Sequence, residues 1–277
     1  ATQHTIIVSS ADSNYQKSLV EKIQKNLKAL DISADIYNTE QAIDISTSEK
    51  LIISIGHEAS ILIDNKEPSN PRLIVFADTN PDTDPVHRSK PHLSMTQPIC
   101  QQFKLIRLLN SKWKNVSVIM SSPNNLLTKE MNSCAEKHKL TVKNIKLNDY
   151  VNIIDALNTS LPQSDVLLAL PDNTVYNAKN IKSILLTTYR HRIPVIGFSE
   201  SFVRAGALAA IHSTTEQMAR QITEIIQKFY TDNSIGSDSQ FPVYFDVVTN
   251  RSVAKSLGIT IPDRESLTNK LKSDNHE

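Results

Sequence analysis

Short apolar runs alternate with helical stripes from the start of the chain. Residues 5–8 read as a strand, after which Tyr15, Leu19, Ile23, Leu27 and Leu30 fall on one face of a helix. Residues 34–37, 51–55 and 73–77 follow as further strands. Their near-continuous Ile, Leu and Val suit parallel strands covered on both faces. Residues 78–98, rich in Pro, Asp, Thr and Ser, then interrupt the pattern as a linker or lobe boundary. The rhythm restarts with a helical stripe at Ile99, Phe103, Ile106 and Leu109 and a strand at 116–120. A stripe at Leu127, Met131, Cys134 and Ala135 precedes a strand at 142–147. A strand at 166–170, a helix at 174–189 and a strand at 194–197 continue the series. Thr214 and Gln217 have capping-box spacing before the stripe Met218, Ile222, Ile226 and Phe229. The pattern predicts an α/β chain of two lobes, each a parallel sheet with helices on both faces.

A length of 277 residues fits two domains, and 39% hydrophobic residues suffice for two cores. Thirty Lys and Arg against 29 Asp and Glu leave a formal charge of +1, with no basic stripe to recruit nucleic acid or anionic lipid. The apolar runs are too short to cross a bilayer, so no direct membrane insertion is expected. Glycine occurs only at Gly56, Gly197, Gly206, Gly236 and Gly258. That scarcity excludes a dinucleotide fingerprint and a P-loop, both of which need clustered glycines. No cofactor is expected. Cys100 and Cys134 both fall at apolar helix positions, so buried free thiols are the simpler reading and a single disulfide the alternative. The chain opens Ala-Thr-Gln-His without an initiator Met or an apolar leader, as expected of a mature extracytoplasmic protein after signal-peptide removal.

The second half carries ordered motifs. These are Leu170-Pro171-Asp172-Asn173-Thr174-Val175, Ile193-Pro194-Val195-Ile196-Gly197 and Val203-Arg204-Ala205-Gly206-Ala207-Leu208-Ala209-Ala210. Asn250 and the run from Ala254 to Pro262 complete the set. Weaker matches lie at 51–62, at Val75-Phe76-Ala77 and at 118–124. Together they resemble the ABC-transporter substrate-binding family whose better-known members bind tryptophan and other aromatic amino acids. The resemblance implies the type I periplasmic binding fold, two Rossmann-like lobes joined by three crossing strands. It places the crossings near 93–95, 212–214 and 246–249. Lobe one would hold residues 1–93 and 214–245, and lobe two 94–213 and 246–277. A ligand cleft between the lobes would close by hinge motion. The chain departs from the family where the cleft is lined. His57 and Glu58 replace a Thr-Pro pair, Phe198, Ser199 and Glu200 replace Ser-Asp-Thr, and 212–216 replace Gly-Val-Asp-Tyr-Tyr.

Ligand-facing candidates gather at the carboxyl ends of strands, where open α/β sheets bind. Asp172 and Asn173 follow the 166–170 strand; a carboxylate there pairs with a ligand ammonium or caps the next helix. Gly56, His57 and Glu58 open a helix whose N–H groups suit an anion, or form a solvated helix start. Ser9, Ser10 and Asp12, then Ser122 and Asn124, have the same two readings. Ser199, Glu200 and Thr79 complete the set. His87 and His92, with Asp82 and Asp84, lack the compact spacing of a metal site, and no metal is expected. No nucleophile elbow, zinc-protease helix or cysteine–histidine signature is present, so binding is favoured over catalysis. The expected function is a monomeric solute-binding protein that closes around an amino acid or similar zwitterion for an ABC transporter. Its partner would be a membrane permease; the alternative is a ligand sensor docking on a membrane receptor or sensor kinase.

Overall fold

The computed structural model describes residues 3–11, 13–44, 50–66, 69–76 and 90–273. Its strands are β1 (His4–Ser9), β2 (Ser33–Asn38), β3 (Leu51–Ile55), β4 (Arg72–Val75), β5 (His92–Leu93), β6 (Asn115–Met120), β7 (Thr141–Lys146), β8 (Val166–Leu168), β9 (Val195–Gly197), β10 (Ala209–His212), β11 (Ser239–Gln240) and β12 (Asp246–Thr249). The helices are α1 (Asn14–Ala29), α2 (His57–Lys66), α3 (Ile99–Leu109), α4 (Asn125–Lys137), α5 (Ile153–Ser160), α6 (Ile181–Arg190), α7 (Glu200–Ala205), α8 (Thr215–Asp232), α9 (Arg251–Leu257) and α10 (Arg264–Ser273). No described helix is long and apolar enough to cross a membrane.

Two compact units form. Unit 1 is Ala1–Met95 with Ser213–Phe245, and unit 2 is Thr96–His212 with Asp246–Glu277. The first contains the sheet β11-β5-β4-β3-β1-β2, whose pairings are all parallel. The second contains β12-β10-β9-β8-β6-β7, parallel except for the antiparallel pair β10–β12.

Burial follows the sequence. Every residue of β3 is buried, as a central strand covered on both faces requires. In β1 and β3 the pleat sends Ile7, Ile53 and Ile55 to one face and Ile6, Val8 and Ile52 to the other. The first face is covered by Leu19, Val20, Ile23 and Leu27 of α1 and by Met218, Ala219, Ile222 and Ile226 of α8; the second receives Ala59 and Ile63 of α2. Edge strands β2 and β7 are polar, and Lys143 and Lys146 on exposed β7 positions discourage pairing with another chain. The Thr214–Gln217 capping box forms, with both reciprocal bonds present.

Two expectations are corrected. The helix expected over 174–189 begins only at Ile181. The Asp172 carboxylate accepts from Thr174 N and Val175 N, and the Asn177 side chain accepts from Lys179 N and Asn180 N. Short polar side chains here take the N–H groups that a helix would use, and turns result. Cys100 and Cys134 are joined in a disulfide with a Cα–Cα distance of 5.0 Å, not free thiols. Trp113, between α3 and β6, is 8% exposed and packs as a core residue.

Non-glycine residues with positive φ fall into two groups. Asp31, Lys139 and Arg192 follow α1, α4 and α6, and Asn233 caps α8. After the first three the next amide returns to a helix carbonyl, as from Ile32 N to Leu27 O at 3.0 Å, and Asn233 N itself reaches Phe229 O, so these are ordinary helix stops. Ala11 and Phe76, at φ 56°, are not helix stops. They stand just beyond β1 and β4, at the same end of the unit 1 sheet.

Candidate functional site

In each sheet the first strand of the unit lies between the second and the third, as β2-β1-β3 and β7-β6-β8. The connections leaving the two inner strands therefore depart in opposite directions. A crevice opens at their carboxyl ends, the place where open α/β sheets receive ligands.

In unit 1 the crevice lies between the ends of β1 and β3. Ser10 N donates to Ile55 O at 2.9 Å, and Ser10 Oγ accepts from Ala59 N at 3.0 Å. The serine thus takes one of the N–H groups in the first turn of α2. Ser9 Oγ accepts from Ala11 N at 3.1 Å, holding the left-handed turn that follows. Gly56 has φ +94°, and a Cβ there would lie 2.5 Å from Ser10 Oγ. Gly56→Ala is therefore expected to destabilise by more than about 1 kcal/mol, read by urea unfolding, because alanine meets both the strained φ and the serine. Stability equal to wild type would show that this turn relaxes freely. His57 and Glu58 are exposed at the start of α2. Asp12 and Thr79 lie outside the described residues. Ser13, rather than a ligand, receives Gln16 N as the cap of α1.

Beside this crevice Tyr15 donates to Ser213 O at 2.7 Å and packs against Phe76, with ring centroids 6.1 Å apart. Burial, together with the Glu216 charge, pushes the Tyr15 phenol up, so it stays a donor at neutral pH. Ser213 Oγ donates in turn to Tyr244 O at 2.7 Å, joining two distant segments of the chain.

In unit 2 the crevice lies between β6 and β8, and Asp172 spans it. Its Oδ2 accepts from Ser121 N at 2.9 Å, while Oδ1 accepts from Thr174 N at 3.0 Å and Val175 N at 3.3 Å. A carboxylate offers about four acceptor positions, so three are used here and the group is held as an oriented anion. Tyr176 lies behind it. Its hydroxyl is buried without a hydrogen-bond partner among the described residues, and burial with the nearby Asp172 charge pushes the phenol up. Phe198, just after β9, packs edge-on against Tyr176 at 5.9 Å and against Phe202 at 5.3 Å.

The other candidates sort by local chemistry. Asn124 accepts from Leu127 N at 2.9 Å and caps α4; Ser199 accepts from Phe202 N at 3.2 Å and caps α7. Ser122 and Asn173 are exposed, and Asn173 O accepts from Asn177 Nδ2. Glu200 in the first turn of α7 is half exposed, with Oε2 at 3.9 Å from Arg204 Nη1 and 3.8 Å from His212 Nε2. His212 ends β10 and stands opposite Asp246 across the antiparallel pair. The structure thus brings together Ser10 with Gly56, and Asp172 with Ser121. Tyr15 and Tyr176 are absent from the sequence-based set, whereas Phe198 stood among the departures from the family pattern. Tyr176, four positions after Asp172, carried the one local signal that could have found it.

A family model described as "ABC transporter substrate binding protein" matches residues 92–270. No curated protein sequence matches. Among solved structures, the ligand-free, open form of a substrate-binding protein with adhesive properties from Clostridium difficile is similar. It has a TM-score of 0.74 and 19% identity, over 95% of this chain and 97% of that one. A domain from Streptococcus pneumonia solved in complex with L-Trp gives a TM-score of 0.67 at 18% identity, over 96% of this chain and 98% of that one. A conserved domain protein from Vibrio cholerae gives 0.67 at 21% identity, over 96% and 97%. At these identities the likeness establishes the fold, that of the type I periplasmic binding proteins.

Proposed function

This chain belongs to the ABC transporter substrate-binding protein family, and we propose that it is an extracytoplasmic solute-binding protein that closes around an amino acid or similar zwitterion. It would hand this cargo to a membrane permease. The observation that carries the ligand class is Asp172. Three main-chain N–H groups orient its carboxylate at the β6–β8 crevice, and one acceptor position is left for a ligand ammonium. Glu200, in the first turn of α7 after β9, and Asp246, at the start of β12, flank His212 at the end of β10 and add negative charge to the same rim. Binding, rather than turnover, is the activity that this family membership supports.

Thermal-shift measurements against amino acids, peptides, sugars and nucleosides test the reading. A ligand at about 100 times its dissociation constant adds roughly 2.7 kcal/mol. An amino acid is expected to give that shift, and both Asp172→Ala and Asp172→Asn to abolish it. Asn keeps an acceptor for the main chain but loses the charge, so loss in both variants marks an ionic contact. A shift with a sugar or nucleoside and with no amino acid would end the zwitterion reading.

A further inference from the structure

The end of β10 in unit 2 carries a feature that solute binding by itself does not require. His212 is the last residue of that strand, and its side chain is 14% exposed, against 50% for Glu200. The imidazole Nε2 lies 3.8 Å from Glu200 Oε2, inside ion-pair range but too long for a hydrogen bond. Asp246 of β12 faces it across the antiparallel pair. Arg204, one turn along α7, is 3.9 Å from the same carboxylate oxygen of Glu200 and 72% exposed. The charged groups that act on the imidazole are thus Glu200 and Arg204 from α7 and Asp246 from β12.

We propose that His212 is a proton-operated control on the acidic rim of unit 2: neutral, it leaves the Glu200 carboxylate to an incoming cation; protonated, it takes that carboxylate for itself. The inference rests on the zwitterion reading, since it concerns the cation-receiving part of the same rim. Burial lowers the imidazole's proton affinity, outweighing the pull of Glu200 and Asp246, so the side chain is neutral at neutral pH. The rim is then served by Glu200, opposed only by the solvated Arg204. As the pH falls, a cation appears beside Glu200. It cancels charge that a ligand ammonium would meet and shortens the His212–Glu200 contact to a charge-assisted hydrogen bond. Bound cargo would be released more readily in acid.

The test has two parts. Histidine ring resonances, followed by NMR through a pH titration of the ligand-free protein, should place His212 below the ordinary histidine value. Glu200→Gln should lower it further, because the carboxylate that favours the charged ring is gone. No movement in that variant would overturn the coupling.

Calorimetry with each standard L-amino acid at pH 7.5 and 5.0 supplies the second part. A free amino acid other than histidine keeps essentially the same charge over this span. Affinity in the wild type is expected to be roughly three- to fivefold weaker at the lower pH, the scale of a partly exposed ion pair. In His212→Gln it should be flat. Binding that is independent of pH in the wild type, or equally pH-dependent in the variant, would overturn this inference and leave the zwitterion reading intact. Absence of amino-acid binding at both pH values would overturn the two together.

Discussion

Replacing Cys100 and Cys134 together by serine should lower the stability of unit 2 by about 3–4 kcal/mol. The disulfide joins the first turn of α3 to the last turn of α4 across 34 residues. Closing a loop of that length removes conformational freedom from the unfolded chain, which the chain-entropy relation puts at about 4 kcal/mol. Cys134 is moreover 3% exposed, so serine there adds the cost of a buried hydroxyl. For a unit of this size the midpoint of thermal unfolding should fall by on the order of 10 °C. Calorimetry of the oxidised protein and the double variant reads this difference, and a thiol reagent in denaturant should find no reactive thiol in the former. Two reactive thiols and an unchanged midpoint would restore the free-thiol reading.

Removing Asp64 should be as damaging to unit 1. Arg72, the first residue of β4, is 3% exposed, and its guanidinium meets the Asp64 carboxylate on α2. Burial lowers the Arg72 pKa to about 10, so the side chain still carries its charge at neutral pH. Asp64→Ala leaves that charge buried without its compensation, which costs about 3–5 kcal/mol. Arg72→Met should cost less, because Lys90 Nζ lies 3.2 Å from Asp64 Oδ1 and remains to pair with it. The double change Asp64→Leu with Arg72→Met should recover most of the loss, since an apolar pair avoids desolvating two charges. Urea unfolding of the wild type and the three variants ranks these losses. Asp64→Ala no worse than the double variant would show that water already solvates the pair.

The helix over 174–189 marks the limit of periodicity as a guide. The apolar spacing is present, but Asp172 and Asn177 compete for the backbone N–H groups and delay the helix to Ile181. Helix caps are equally local. Ser13, Asn124 and Ser199 each bond an amide three residues ahead, and that offset is visible in the sequence.

The zwitterion proposal rests on Asp172. The carboxylate was recognisable at the end of a buried strand, but its bond to Ser121 N crosses 51 residues. The same holds for Ser10 and Ala59, 49 residues apart, and for His212 with Asp246. Such pairs depend on which strands are neighbours, and hydrophobic periodicity is silent about strand order.

The sequence by itself determined the alternation of strands and helices and the buried character of β3, because each depends on side-chain spacing within one element. The family motifs from Leu170 onward added the fold type and the expectation of a solute. Tertiary structure alone decided that Cys100 meets Cys134, and that Asp172 and Ser10 span their crevices. The reason is physical: local spacing fixes which face of an element is apolar, whereas contacts between distant segments are fixed only when those faces are packed together.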